Sequence, residues 1–452
     1  MPIAKTKKVL SHVLADYGML IVLLLLCVFF SVATIVQQHP TGAEAGKRLA
    51  AEIREQFPEA RVIIVARGNR EDVEFATALA NELEADDLEV VDAVTGKPTD
   101  VRPVLEELSE KGARLDVVAS TEQAAAKWEF LYNLGETFPN LKDTKVVVPR
   151  SYWKSRFLNT DNLLNNVASK ASIFAIIAVG MTMVIITGGI DLSVGSLIAL
   201  TSVTTAMVIR DGFGGQSASW IGMTIGCLAG IGVGGLIGFF SGTMTTAFGI
   251  APFVVTLAVM SISRGFAMII SNNQAIDAVP QNFSWLSMGK LLGVPNSVVI
   301  MILLYILAHV LMSQTVLGRY IYAVGGNREA ARLSGVPVKR VLLFVYTLCG
   351  ALAGLGGALE AAKLASGSPL YGNMYELYVI AAVVVGGTSL AGGEGKILNS
   401  LIGALIIAVI QTGMNQMYIE SNWQLVVMGS LILAAVLVDM LKKHGWRATF
   451  SR

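Results

Sequence analysis

The residues best equipped for chemistry lie in Thr187-Gly188-Gly189-Ile190-Asp191-Leu192-Ser193-Val194-Gly195-Ser196, a glycine-rich interval lodged between two apolar runs. A carboxylate amid apolar sequence is costly, so Asp191 must be capped, paired or wetted. Asp191 or Ser193 can cap the helix that begins there, and Gly188, Gly189 and Gly195 permit a tight turn or close helix approach. Such a break is either a structural cap or the lining of a translocation route. A second interval, Gly386 to Lys396, resembles the first loosely, as an internal repeat would, and adds Gly386, Gly387, Thr388 and Ser389 as pathway candidates. It is not a phosphate loop, because Lys396 is followed by Ile397, and no Walker sequence occurs elsewhere. The last candidate is Arg264, inside an apolar run, which can snorkel or pair with Asp191 or with polar backbone.

A third interval, Leu317 to Pro337, carries charge rather than apolar bulk. Asn327 can cap a short helix through Leu333, and Gly335 followed by Pro337 can stop it. Arg328, Glu329, Ala330 and Ala331 would then form a short charged helix, either a solvated loop or a docking peg for a cytosolic partner. Glu360, Lys363 and Glu376 are expected near the outer ends of their helices, as rim charges or a docking surface. Cys27, Cys227 and Cys349 fall inside apolar runs without CxxC spacing or a histidine cluster, so neither a disulfide nor a metal site is expected, and no cofactor motif stands out.

The elements around these residues belong to a membrane. Of 452 residues 54% are hydrophobic and 15% charged, too apolar for a soluble protein of this size. The net charge of +1 gives no reason to expect nucleic acid. Residues 17–37 form a first apolar run, read as a retained signal anchor. Further runs at 171–187, 192–209, 220–240, 252–270, 297–312, 341–361, 377–385, 397–413 and 424–440 make about ten crossings. Lys and Arg concentrate in alternate loops and at both ends, which by the positive-inside rule puts both termini in the cytoplasm and residues 38–160 in the periplasm. Gly230 to Gly238 and Gly350 to Gly357 read as close helix packing.

Residues 38–160 are a different material, holding 22 of the 33 acidic residues. Strand-type runs at 61–66, 88–94, 115–119 and 145–148 alternate with helix-type stretches at 43–56, 69–84, 100–111 and 121–136. That pattern implies a small α/β domain with a parallel sheet covered on both faces. Gly68 reads as a βα turn, with an anion site at the helix start as the alternative. The expected organisation is therefore residues 1–37 as cytoplasmic N-terminus and first membrane helix, 38–160 as the α/β insert, 161–441 as a transmembrane core with a cytoplasmic loop at 314–340, and 442–452 as a cytoplasmic tail.

The residues of the three intervals, together with Phe157-Leu158-Asn159-Thr160-Asp161-Asn162-Leu163, resemble the permease subunits of the ribose, xylose and galactose class of bacterial ATP-binding-cassette importers, the ribose type most. The resemblance implies an inner-membrane transport subunit, not an enzyme. It implies a cytosolic ATPase, a periplasmic sugar-binding protein and a second permease subunit, identical or related, as partners. It also implies that Asn327 to Ala331 lie on the helix that couples to the ATPase and that the Asp191 break lies near the pathway. The insert departs from the family and resembles a periplasmic sugar-binding lobe or a flavodoxin-like sheet. Two other readings stand beside this one: an ion-coupled secondary carrier, and a permease whose insert senses sugar.

Overall fold

The computed structural model describes residues 2–160 and 162–449; Asp161, in the lead-in to the transmembrane core, and residues 450–452 of the expected tail lie outside the described residues. The chain divides into two compact units, Ile35–Ser155 and the remainder.

The chain begins with helix α1 (Pro2–Ala33). It stops short of the Gln37 that the apolar run leads one to expect, which corrects the first-helix boundary. Ile35–Gln38 instead forms strand β1, antiparallel to β6 (Tyr152–Ser155). The pairing satisfies backbone groups of a polar segment that a membrane helix would leave badly solvated.

Between these strands lies the α/β unit. Strands β2 (Arg61–Arg67), β3 (Glu89–Gly96), β4 (Val117–Ser120) and β5 (Lys145–Val147) form one parallel sheet in the order β3-β2-β4-β5. Central β2 is fully buried from Val62 to Ala66, which is why its sequence is continuously apolar rather than alternating. Helices α2 (Gly42–Gln56) and α3 (Arg70–Ala85) cover one face through Leu49, Ile53, Phe75 and Leu79. Helix α4 (Pro98–Glu110) and the turns at 122–141 cover the other through Leu105, Trp128, Leu131 and Leu141. The stretch expected as one helix over 121–136 is three four-residue turns, Glu122–Ala125, Glu129–Tyr132 and Leu134–Thr137. Asn133 and Gly135 are weak helix formers, and packing of Trp128, Leu131 and Leu134 on the sheet decides the path.

The helical unit is built around helix α5 (Ser169–Ile186), which with a π-helical lead forms a 25-residue apolar span. It is apolar on every side and 94% of its central window is buried, as expected of a helix surrounded by others. Around it stand α6 (Val194–Met207), α7 (Trp220–Ala247), α8 (Pro252–Ile270), α9 (Asn296–Gln314), α10 (Val316–Gly326), α11 (Arg328–Leu333), α12 (Val338–Leu364), α13 (Tyr375–Val385), α14 (Ile397–Gln416) and α15 (Ser421–Thr449). Among the described residues, seven helical segments are long and apolar enough to cross a membrane, and three shorter apolar ones accompany them at 18–33, 375–385 and 421–437. Helices α7, α8 and α9 expose rows of large apolar residues such as Leu236, Phe266 and Leu303, the mark of a lipid-facing surface.

Helices α7 and α12 meet through glycine. A methyl group added at Gly234 would lie 2.3 Å from the Gly350 carbonyl oxygen, and one at Gly350 would lie 2.3 Å from that of Gly234. The backbones are closer than any side chain there would allow, the geometry small residues serve in membrane helices.

Candidate functional site

Both glycine-rich breaks use the same turn. At the end of α5, Gly188 N–H donates to Ile185 O and Gly189 N–H to Val184 O, with Gly188 at φ +78°. At the end of α13, Gly387 N–H donates to Val384 O and Thr388 N–H to Val383 O, with Gly387 at φ +80°. Both are Schellman-type endings, in which a left-handed glycine closes the last orphan carbonyls. The loose sequence likeness of the breaks is thus a likeness of backbone.

The breaks also touch. Gly393 N–H donates to Ile186 O across 2.8 Å, and Gly392 packs on Gly188 and Gly325. A methyl group at Gly325 would collide with Ile186 O, so only glycine lets α10 approach. Tyr322 Oη donates to Gly395 O at 2.7 Å. The end of α5, the 386–396 loop and the end of α10 therefore form one joint, held by backbone contacts that tolerate no side chain at its centre.

Asp191 folds back from this joint. Its Oδ1 accepts from Ser193 N–H at 2.9 Å and Ser193 Oγ at 2.6 Å, a short turn that sets up the start of α6. Asp191 thus braces Ser193 instead of capping the helix directly, and Ser193 itself makes no side-chain cap. The side chain is fully buried, its Oδ2 has no hydrogen-bond partner among the described residues, and the Cys349 thiol lies beside it. Cys349 packs on Gly180, so Asp191 returns to a level six residues, about 9 Å, back from the end of α5. Tyr346 Oη, also buried and unpartnered, faces Gly189.

Arg264 does not meet Asp191. Its Nη1 donates to Pro369 O at 2.6 Å and Tyr371 O at 2.9 Å, and the Glu376 carboxylate acts on it electrostatically. Of the pairings open to it in the sequence, the polar backbone is the one it adopts. The carbonyls belong to an irregular segment at 365–374 that runs along α6, with Gly367 against Ser202 and Gly372 against Gly195. Gly195 therefore serves close approach to this segment. Thr388 is buried with its hydroxyl unpartnered among the described residues, and Ser389 Oγ accepts from Ala391 N–H.

The charged loop takes the form expected of it. Asn327 Oδ1 accepts from Ala330 N–H at 3.0 Å to cap α11, and Gly335 ends it at φ +82°. Ala331 is buried, whereas Glu329 and Arg332 pair at 2.9 Å on the exposed side and Leu333 is 81% exposed. A six-residue helix with a charged face and an uncovered leucine at its tip suits a partner surface.

In the α/β unit, the crevice at the carboxyl ends of β2 and β4, where the strand order reverses, is where open sheets of this kind take ligands. Here it is filled from within. Asp72 is fully buried and accepts from Arg67 Nε at 2.7 Å, Arg67 N–H at 3.2 Å and Thr121 Oγ1 at 3.1 Å. Burial alone would raise its carboxyl, but the Arg67 guanidinium and these hydrogen bonds hold it below the usual carboxylate range. Gly68 makes the βα turn, and Asn69 caps α3 by accepting from Asp72 N–H.

Residues 163–436 match the protein family described as branched-chain amino acid transport system / permease component. The chain is 43% identical over 292 residues to the ribose import permease protein RbsC of Escherichia coli (strain K12), covering 63% of this chain and 87% of that one. It is 40% identical over 299 residues to RbsC of Bacillus subtilis (strain 168), covering 66% and 90%. It is 36% identical over 285 residues to the D-allose transport system permease protein AlsC of Escherichia coli (strain K12), covering 63% and 85%. No solved structure matches the chain at a significant level.

Proposed function

The chain belongs to this family of multi-pass transport permeases, and from that premise we propose that it is the membrane-spanning subunit of an ATP-binding-cassette importer that carries a monosaccharide of the ribose or allose kind into the cytoplasm. Importers of this type work with an ATPase and a periplasmic binding protein. In this reading ATP is hydrolysed by a separate subunit that docks on α11, and two permease subunits flank the pathway.

The observation that carries the reading is the joint. Gly393 to Ile186 and Tyr322 to Gly395 tie both breaks to the helix that leads into α11. A push on α11 would therefore be felt at the ends of α5 and α13 together, which is what a coupling element must achieve. We further propose ten crossings, both termini in the cytoplasm and the α/β insert in the periplasm, supported by the seven long and three short apolar helices and by the distribution of Lys and Arg. The pathway assignments for Gly188, Gly189, Asp191, Ser193, Gly195, Gly386, Gly387, Thr388 and Ser389 are part of the same proposal, with Arg264 as a brace for the 365–374 segment.

For the insert, the self-filled crevice favours a docking or spacing role over a sugar receptor, since the place a ligand would occupy holds the Arg67–Asp72 pair. Residues 35–155, expressed alone, should fold and give no binding heat with D-ribose or D-allose; a saturable heat would restore the receptor reading. The transport reading itself is tested by labelled D-ribose and D-allose uptake in cells carrying this chain with and without its ATPase. Uptake that persists without the ATPase would favour an ion-coupled carrier instead.

A further inference from the structure

Far from the joint, the last turns of α12 hold a second polar site. Glu360 lies 22 residues beyond the start of α12, about 33 Å along the helix from the α11 side. It is 8% exposed, its Oε2 has no hydrogen-bond partner among the described residues, and its Oε1 receives only a long 3.4 Å bond from Tyr375 Oη. No ion pair within 4 Å neutralises it among the described residues, although Lys170 feels both Glu360 and Lys363. An unpaired buried carboxylate oxygen loses hydration with no return, so its retention calls for a partner that comes and goes.

The neighbours describe that partner. Tyr375 stands edge-on to Phe174 with ring centroids 4.9 Å apart, and Tyr378 lies 5.8 Å from Phe174 and 6.2 Å from Tyr375. The Tyr375 hydroxyl meets the carboxylate, Phe174 and Tyr378 cluster on the Tyr375 ring, and Lys170 and Lys363 add two ammonium groups; together these suit a small neutral ring with an apolar C–H face and hydroxyls at its edge. The hydroxyls donate to the carboxylate and accept from the lysines, while the C–H face packs on the rings. A simple cation would leave the rings and lysines unexplained.

We propose that Glu360, Tyr375, Tyr378 and Phe174, with Lys170 and Lys363 at the margin, form a monosaccharide-binding station inside a single permease subunit, at the end of the bundle remote from α11. This rests on the transport reading above and adds the residues that would select the sugar. The test uses the full chain with its ATPase in nanodiscs, without any binding protein. D-ribose, D-allose and D-xylose are added, and saturation-transfer NMR with aromatic irradiation reads their ring protons. The complex should transfer saturation to the sugar it transports, and Glu360→Gln should weaken that binding about tenfold, the loss expected when a charged acceptor is removed. Tyr378→Leu should act in the same direction, and it decides if Glu360→Gln does not reach the membrane. Equal affinities in the wild type and both variants, or no saturation of a sugar that the same complex imports with ATP once reconstituted into proteoliposomes, would overturn the station. Import that ignores ATP would instead sink the transport reading, and is read separately.

Discussion

Asp191 uses one carboxylate oxygen to brace Ser193 and leaves the other beside Cys349, so its local role needs an acceptor more than a charge. Asp191→Asn should keep ATP-driven uptake within about threefold, whereas Asp191→Leu, which removes the acceptor and leaves Ser193 N–H unpaired, should lower it at least tenfold. Equal loss in both would mean that the charge itself matters. Asp72 in the insert offers a cleaner electrostatic case. Its carboxyl is held low by Arg67 despite burial, so the pair's stabilisation is complete above the unfolded carboxylate value of about 4 and fades as pH falls through the lower folded value. Urea unfolding of residues 35–155 should therefore show stability falling below about pH 4. Asp72→Ala should cost about 3 kcal/mol at pH 7 and flatten part of that acid limb, because it strands a partly buried guanidinium. An unchanged acid limb would place the titration elsewhere.

At the scale of elements, α11 has a single side-chain cap, Asn327, and a six-residue helix is too short to hold its N-terminal turn without it. Asn327→Ala should lose about 1 kcal/mol of local order, and with it roughly fivefold in ATPase co-purification from membranes. Glu329→Lys, which leaves the cap intact but breaks the pair with Arg332, should also reduce co-purification; no change in either variant would remove α11 from the interface. The α7–α12 contact gives a stability prediction: Gly350→Val forces a side chain against the Gly234 carbonyl and should lower the thermal midpoint of the detergent-purified chain, at a cost of about 1–3 kcal/mol. Much of this was legible in advance. Continuous apolar strands and capped helices mark the insert's sheet, and the Asn327 cap and Gly335 stop mark α11, because local chemistry decides them. The β1–β6 pair was not legible, since its strands are four polar or mixed residues each and their partner lies more than 110 positions away. The Glu360 cluster was hidden for a similar reason: Glu360 reads as a rim charge, and Tyr375 and Phe174 as ordinary helix residues, until three helices bring them together and bury the carboxylate. Asp191 was visible by type, but its turn back to the level of Gly180 comes from packing against α12.

On the scale of the whole molecule, the helical bundle carries its two distinctive sites at opposite ends. A glycine joint and a charged peg occupy one end, a carboxylate beside an aromatic cluster the other, and the almost entirely buried α5 runs between them as the axis. In the proposed reading the two ends answer to different partners, one to ATP hydrolysis and one to sugar. Whether the chain moves sugar inward only when a separate ATPase works on it is decided in proteoliposomes. They would hold the full chain with its ATPase, with binding protein and labelled D-ribose or D-allose outside and ATP trapped inside. Accumulation against a gradient that stops when the ATPase Walker lysine is replaced, and that ionophores leave unchanged, is the predicted result. Accumulation that survives the inactive ATPase and collapses with an ionophore would contradict it.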